Sequence, residues 1–265
     1  FKQKTAYEIP KRDWSSDVCS SDLALVTGAN RGIGAAIALG LAKAGANIVG
    51  TSRQMSEDEE IAREVKALGR TFTPIAADLS DRSQSTTLAE RVLQLVPRVD
   101  ILINNAGITA RYPAAEIPLN EWDRVIEINL NSQFILAQSF GRHMIENGAG
   151  RIIFIASIMS FQGGLRIPPY AASKHAIIGL TKALSNEWSA LGVNVNAIAP
   201  GYIKTKLNKH IWTDPIRHDQ VLARLTSGRW GEPADLVGPA LFLAASASDY
   251  LHGVILPVDG GWLSR

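Results

Sequence analysis

The sequence LALVTGANRGIG, residues 23–34, begins with an apolar run short enough for a buried strand and ends where a run of small and apolar residues, about 35–44, predicts a helix. Gly28, Gly32 and Gly34 lie between them at the spacing G-x3-G-x-G. Glycine permits a tight turn and a close approach of backbone to a phosphate, which the N-terminus of a helix also attracts. The stretch predicts a strand, a phosphate-binding turn and a helix, although such turns also occur without a ligand.

The rest of the chain repeats this alternation of strand and helix. Further strands are predicted at NIVGT (47–51), TFTPIAA (71–77), DILIN (100–104), RIIFIA (151–156), VNVNAIA (193–199) and VILPVD (254–259). Helices are predicted at about 57–68, from a cap at Ser80 or Asp81 to about 96, and at about 120–145, 170–191 and 233–244, with an irregular polar stretch before the last. The alternation predicts an α/β fold, a single-domain Rossmann-type doubly wound parallel sheet of about seven strands with helices on both faces.

The first 22 residues do not match the pattern that follows them. DWSSDVCSSDL, residues 13–23, resembles the translation of a sequencing-library adapter. A secretory signal is the alternative, but this segment lacks the apolar stretch of about 7–15 residues that such a signal needs. We therefore expect residues 1–22 to be a non-native, unstructured leader that packs against nothing, and residues 23–265 to form the one folded, nucleotide-binding domain.

Composition excludes several classes of protein. The chain has 265 residues, 46% of them hydrophobic, and a net charge of +2 without any block of like charges. These values predict one domain and no nucleic-acid partner, and without an apolar run of about 20 residues we expect no membrane partner. Cys19, the only cysteine, cannot form an internal disulfide, and five histidines without ligand spacing predict no metal. We expect a cytoplasmic protein.

A second stretch carries groups suited to proton transfer, SIMSFQGGLRIPPYAASK at residues 157–174. Ser157 follows a predicted strand and so lies at the edge where open α/β sheets bind ligands. A helix that begins at Pro168–Pro169 places Tyr170 and Lys174 one turn apart on one face. A phenol beside an ammonium group is a tunable proton donor, but a surface pair at this spacing is the structural alternative.

These motifs together resemble the short-chain dehydrogenase/reductase family. TGANRGIG, Asp78, NNAG (104–107), Asn129, Ser157, Tyr170-x3-Lys174 and PGYIKT (200–205) stand in that family's order and spacing across residues 23–265. SFQGGLRIPPYAASK, GRWGEPADLVGPALFLAASASDY and VDGGWLSR are more closely similar to its members that act on sugar acids. The resemblance implies hydride transfer between a nicotinamide cofactor and a secondary alcohol or ketone, with a small sugar acid as substrate and a homotetramer as the assembly.

The resemblance also implies a role for each catalytic residue. Tyr170 would donate the proton, which near neutrality requires a pKa about 3 below the ordinary value of about 10, equivalent to about 4 kcal/mol. Lys174, helped by the oxidised nicotinamide, would favour the phenolate and hold the ribose. Ser157 would hold the substrate oxygen, and Asn129 would anchor a water relay to Lys174. Asn129 could instead be a buried amide that satisfies backbone groups.

The remaining site residues are implied by the same motifs. The implied cofactor contacts are Gly28, Asn30, Arg31, Gly32, Ile33, Gly34, Ser52, Arg53, Asp78, Leu79, Asn105, Ala106, Gly107, Tyr170, Lys174, Pro200, Gly201, Ile203 and Thr205. Asp78 would accept from the adenine amine, or would simply cap a strand end. The substrate would contact Arg111, Gln162 and Arg166.

The end of the second strand bears on the choice of cofactor. Ser52 occupies the place where a carboxylate would bind a free ribose, and Arg53 and Arg31 lie nearby. Two guanidinium groups without a carboxylate suit a 2′-phosphate, so NADP(H) is favoured. NAD(H) stays possible, because the resembling enzymes are usually associated with NAD and either arginine could be solvated.

Two other functions compete with a sugar-acid oxidoreductase. A 3-oxoacyl-(acyl-carrier-protein) reductase of the family would have docking arginines at the positions of Ile135 and Asn186, and both are missing. A nucleotide-sensing protein without catalysis is a different class, and the intact set of Ser157, Tyr170, Lys174 and Asn129 argues against it.

Overall fold

One parallel sheet organises the molecule. The computed structural model describes Cys19 and residues 22–265. Within that part, seven strands form the order β3-β2-β1-β4-β5-β6-β7, and every neighbouring pair is parallel. The strands are β1 (Leu23–Thr27), β2 (Asn47–Ser52), β3 (Phe72–Ala76), β4 (Ile101–Asn104), β5 (Gly150–Ile155), β6 (Val193–Pro200) and β7 (Ile255–Val258). The predicted doubly wound α/β fold is confirmed.

Helices connect successive strands. They are α1 (Gly32–Lys43), α2 (Glu60–Ala67), α3 (Arg82–Leu95), α4 (Leu119–Ile126), α5 (Ser132–Asn147), α6 (Pro168–Trp188), α7 (Lys209–Trp212), α8 (Pro215–Leu222) and α9 (Val237–Ala244). Asp81 caps α3, since its side chain accepts from the backbone N–H of Ser83. Within the described part, none of the helices combines the length and hydrophobicity that a membrane crossing requires.

Two hydrophobic cores cover the two faces of the sheet. Along β1, Ala24 and Val26 belong to one core, whereas Leu25 between them belongs to the other. Successive residues of a strand point to opposite faces, so a strand buried on both sides reads as a continuous apolar run. This explains why the strands could be located from the sequence.

A third, smaller cluster lies at the carboxyl edge of the sheet, and we call it the satellite core. Its buried members are Ile158, Ile211, Val221, Leu225, Trp230 and Trp262. They come from the segment after β5, from α7 and α8 with the loop behind them, and from the C-terminal segment. The segment expected to be irregular thus contains two helices, and Ile211 and Trp212 of α7 with Val221 and Leu222 of α8 pack here.

Two further expectations need correction. The helix expected at about 120–145 is interrupted by a π-helical turn, Glu127–Asn131, between α4 and α5. Residues 1–18, 20 and 21 of the expected leader lie outside the described residues, but Cys19 is only 1% exposed and its N–H donates to the Ala44 carbonyl at 3.1 Å. The expectation that nothing before Leu23 packs was therefore wrong at Cys19, because a small apolar side chain fits against the first core.

Candidate active site

The glycine turn is shaped as a close-approach site. Gly28 and Gly32 have φ values of +67° and +58°, a region that other residues rarely adopt. A Cβ on Gly34 would lie 2.3 Å from the Gly28 carbonyl oxygen, so only glycine lets α1 pack this closely. Helix α1 begins at Gly32, within the turn, and the N–H groups and positive dipole at its N-terminus attract phosphate. These features fit the pyrophosphate of a dinucleotide.

Thr27 links the glycine turn to the NNAG segment. Its hydroxyl accepts from the backbone N–H groups of Asn105 and Ala106, each at 2.9 Å. The Asn105 side-chain amide donates back to the Thr27 carbonyl at 2.7 Å. Asn105 therefore braces the cleft, and the Gly107 Cα lies beside Asn129 and Lys174. Thr27 was missed by the sequence reasoning, although a polar residue ending an apolar strand was the available signal.

The end of β2 lies against the same turn. The Thr51 carbonyl accepts from Gly28 and Ala29, at 2.7 and 3.2 Å, which brings Ser52 and Arg53 close to the turn that carries Arg31. The Ser52 hydroxyl is buried and has no hydrogen-bond partner among the described residues. Both arginines are exposed, and none of the ion pairs among those residues involves either one. An orphaned hydroxyl beside two available guanidinium groups fits a ribose with a 2′-phosphate.

Asp78 caps the turn after β3, which is the alternative role that the sequence offered for it. One carboxylate oxygen accepts from the Ser80 N–H at 2.9 Å and from the Ser80 hydroxyl at 2.7 Å. Its second oxygen forms no hydrogen bond among the described residues, so the strand-end turn leaves an acceptor for an adenine amine. Leu79 is buried in the second core, which leaves only its backbone for a ligand.

The other expected cofactor residues lie around the same cleft. Pro200 ends β6, and Gly201 follows so close to the C-terminal segment that a Cβ on it would lie 2.6 Å from Asp259 Cα. Ile203 is buried, and Thr205 Cγ2 would lie 3.6 Å from a Cβ on Gly32. Asn30 and Ile33 belong to the glycine turn and the start of α1, and Ala106 is partly buried beside Asn105. The carboxyl edge of the sheet thus collects every expected cofactor segment.

Ser157, Tyr170 and Lys174 occupy the centre of that edge. Ser157 follows β5 and caps a short 3-10 helix, Ile158–Ser160: its hydroxyl accepts from the Met159 N–H at 3.1 Å, and its own N–H donates to Ser160 Oγ at 3.3 Å. Pro168 and Pro169 open α6 and place Tyr170 and Lys174 one turn apart. The Lys174 ammonium is 5.8 Å from the centroid of the Tyr170 ring and donates to the Ile155 carbonyl at 2.6 Å. The predicted helix start and the predicted pairing of Tyr170 and Lys174 are both present.

Burial governs the protonation of both catalytic groups. It lowers the pKa of Lys174 from 10.5 to about 8. It also raises the pKa of Tyr170, against the lowering influence of the Ser157 side chain. The protein by itself does not lower the pKa of Tyr170, because desolvation of the phenolate outweighs the neighbouring hydroxyl. Burial alone thus keeps the phenol protonated and makes it a weaker acid, so proton donation depends on the cation of Lys174 and on the bound ligands. The lowering expected with an oxidised nicotinamide beside Lys174 stays a prediction.

Asn129 lies in the π-helical turn and is fully buried. Its side chain accepts from the Ile108 N–H at 2.9 Å and donates to the Ile108 carbonyl at 2.9 Å and to Ser173 Oγ at 3.1 Å. These bonds match the alternative of an amide that satisfies backbone groups, and they tie the loop after β4 to α6. A π turn inside a helix often marks a functional site.

Three arginine side chains lie near one another on the segments that follow β4, β5 and β6, at the carboxyl edge of the sheet. Arg166 and Arg217 are close enough to Arg111 to lower its pKa together with partial burial, the main cause. Among the described residues none of these three arginines forms an ion pair with an acidic side chain. Arg166 has a φ of +62°, the only positive value outside glycine in this part, and its carbonyl accepts from Tyr112 N–H at 3.0 Å. Unpaired guanidinium groups held together suit an anionic ligand.

Sequence reasoning missed Arg217, because α8 was expected to be irregular, and it missed the contact of Gln162 with Trp262 across 100 residues of sequence.

Within the described residues, His, Cys, Asp and Glu side chains nowhere gather in a group of three or more that could hold a metal ion. The absence of a metal stays a prediction.

Comparison with known proteins places these features in context. The family model described as short chain dehydrogenase matches residues 22–216. A 2-dehydro-3-deoxy-D-gluconate 5-dehydrogenase of Pseudoalteromonas atlantica is 52% identical over 244 residues, which cover 92% of this chain and 96% of that protein. This agrees with the similarity to sugar-acid enzymes that the sequence indicated.

Solved structures give the same picture. A crystal structure from Beutenbergia cavernae, provisionally named an NAD(P)-dependent gluconate 5-dehydrogenase and containing NADP, is 46% identical with a TM-score of 0.89, covering 93% of this chain and 98% of that one. A gluconate 5-dehydrogenase from Burkholderia cenocepacia, in complex with NADP and tartrate, is 38% identical with a TM-score of 0.87, covering 94% and 98%.

Proposed function

The chain belongs to the short-chain dehydrogenase family, and from this premise we propose that it interconverts a secondary alcohol and a ketone of a sugar acid with NADP(H). 2-Dehydro-3-deoxy-D-gluconate is the first candidate substrate, and gluconate with its 5-keto form is the second. The observation that carries the proposal is the grouping of Ser157, Tyr170 and Lys174 at the carboxyl edge of the sheet, the same edge that carries the cluster of arginines.

When bound, the nicotinamide cofactor supplies or accepts the hydride. In the reducing direction the Ser157 hydroxyl orients the ketone oxygen, and Tyr170 Oη donates the proton that this oxygen acquires. Lys174 holds the ribose and stabilises the resulting phenolate as a nearby cation. Asn129 holds the Ile108 backbone and Ser173, and so fixes the wall that faces Lys174. In the oxidising direction each proton moves in reverse.

The substrate's carboxylate would lie at the mouth of the cleft. Arg111 and Arg166 were expected there from the sequence, and Arg217 of α8 joins them. A carboxylate would neutralise this group and form charge-assisted hydrogen bonds with it, each worth roughly 1.5–3 kcal/mol. A neutral ketone would leave the repulsion between the arginines in place. This difference supports a sugar acid over an uncharged substrate.

Arg31, Arg53 and the Ser52 hydroxyl support NADP(H) as the preferred cofactor, with NAD(H) as the alternative.

A homotetramer is proposed from exposed apolar side chains that a monomer would leave in water, including Tyr250, 97% exposed, and Leu119, 77% exposed. A light-scattering mass near that of one chain would dismiss the tetramer. We propose a cytoplasmic enzyme, because cells supply both the nicotinamide cofactor and small sugar acids there.

The test is an assay of purified protein with a panel of keto-gluconates, matched uncharged ketones and a 3-oxoacyl thioester, each with NADPH and NADH. We expect turnover of one or more sugar acids, with the higher kcat/KM for NADPH. Preference for the uncharged ketones would reject the sugar-acid assignment. Preference for the thioester would favour the 3-oxoacyl reductase, and binding of the cofactor without any turnover would favour a nucleotide sensor.

A further inference from the structure

Trp262, in the C-terminal segment, forms a hydrogen bond with a residue of the catalytic loop. Its indole Nε1–H donates to Gln162 Oε1 at 2.9 Å. Gln162 lies between β5 and α6, in the segment from Ser157 to Ile167 that we call the catalytic loop, and Tyr170 follows in the first turn of α6. Because an indole N–H can only donate, the carbonyl oxygen of the amide must face Trp262. The amide is planar, so its NH2 group is turned away from the tryptophan.

The NH2 group of Gln162 is free to bind a ligand. It donates to no protein atom within residues 22–265, and the side chain is only half-buried. The catalytic loop begins at Ser157, carries Arg166 and leads into the first turn of α6, which holds Tyr170. A pair of free N–H donors beside these groups suits an oxygen of an anionic, hydroxylated substrate.

Trp262 is itself held rigidly. It is 7% exposed, the guanidinium of Arg224 lies 4.0 Å from the centroid of its ring, and Tyr202 packs on it at 4.7 Å. The Asp259 carboxylate accepts from the N–H groups of Gly261 and Leu263, each at 2.9 Å, and so fixes the turn that presents the indole. A fixed donor on one side of the amide therefore sets the direction of the donors on the other side.

We propose that Trp262 is a positioning residue for substrate specificity, which orients the Gln162 amide so that its NH2 group donates to a carboxylate or hydroxyl oxygen of the bound sugar acid. The inference rests on the proposed function for the identity of the ligand. It adds to that function a residue of the C-terminal segment, Trp262, that determines substrate specificity and lies 100 residues along the chain from Gln162.

A double-mutant cycle tests this proposal. Trp262→Phe keeps the aromatic packing and removes only the N–H, so kcat/KM for the sugar acid should fall about tenfold through a higher KM, with kcat and the KM for NADPH unchanged. Gln162→Ala should have a similar or larger effect. In the Gln162→Ala background Trp262→Phe should have no further effect, because the two residues act as one unit. Additive losses would overturn the proposal.

Trp230 provides a matched control. It lies in the same satellite core at 3% exposure, but its indole N–H is buried without a hydrogen-bond partner among the described residues. Trp230→Phe should leave KM within about twofold of the original value, since no hydrogen bond is lost. If Trp262→Phe and Trp230→Phe have equal effects, the role of Trp262 is packing alone and the proposal fails.

Two further measurements keep this inference separate from the proposed function. The NMR resonance of the Trp262 indole N–H should move in Gln162→Ala protein without any substrate, even if Trp262→Phe fails to fold. An unmoved resonance would overturn the contact. If the native chain reduces only uncharged ketones, the proposed function fails, whereas the same cycle run on such a ketone still decides whether Trp262 acts through Gln162.

Discussion

Lys174→Met should make the protein more stable at pH 7 while removing its activity. The lysine is 3% exposed, and burial lowers its pKa from 10.5 to about 8, which corresponds to about 3 kcal/mol of destabilisation when the unfolded chain is protonated. Methionine has a similar length without the charge. It also loses the hydrogen bond to the Ile155 carbonyl, worth about 1 kcal/mol. The net gain at pH 7 is therefore about 2 kcal/mol.

The stability difference between Lys174→Met and the native chain should change with pH. Because the folded pKa of Lys174 lies below the unfolded value, the unfolded chain binds more protons between pH 8 and 10.5, and the stability of the native chain rises with pH across that window. The advantage of Lys174→Met should fall to about zero by pH 10.

The measurement is guanidinium unfolding of cofactor-free protein at pH 7, 8.5 and 10. Lys182→Met is the control, since Lys182 lies on the same helix but is exposed, and it should leave the unfolding free energy within about 0.5 kcal/mol. A Lys174→Met protein that is less stable at pH 7, or whose gain does not change with pH, would refute the claim that a buried ammonium group is held at this site.

Three other changes test the cofactor cleft and the start of the chain. Arg53→Ala should weaken NADPH binding about ten- to a hundredfold and spare NADH, which fluorescence titration would measure, and equal effects on both would contradict a role at the 2′-phosphate. Gly34→Ala should lower stability by about 1–3 kcal/mol and weaken both cofactors, because its Cβ would meet the Gly28 carbonyl at 2.3 Å, whereas Gly179→Ala, with no atom within 4 Å, should not. Asp22→Asn should raise the melting temperature at pH 7, and the gain should vanish below pH 3.8, since burial and Asp100 raise the folded pKa of Asp22 above that value. A gain that is unchanged at acid pH would contradict the pairing of these two carboxylates.

The catalytic centre could be predicted because its geometry is local. Tyr170 and Lys174 share a helix face by their spacing alone, and Ser157 follows a strand whose apolar run ends one residue before it. Arg217 could not be predicted, since α8 is a short polar helix of which only Val221 and Leu222 pack in the satellite core.

Other features depend on contacts that a sequence does not contain. The contact between Gln162 and Trp262 joins positions 100 residues apart. The π turn at Asn129 interrupts an otherwise regular helical periodicity without leaving a local signal. The pKa of Tyr170 in the protein by itself could not be predicted, because burial, which only the folded chain provides, raises it against the lowering influence of Ser157.

Single-turnover reduction by NADPH of the 5-keto derivative of 2-dehydro-3-deoxy-D-gluconate, compared between the native chain and Tyr170→Phe, tests the central claim most directly. The change removes one hydroxyl, so NADPH binding should be unchanged while the rate of hydride transfer falls about 10²–10⁴-fold, the usual contribution of a positioned general acid. A rate within tenfold of the native rate, with the substrate bound equally well, would contradict the assignment of Tyr170 as the proton donor.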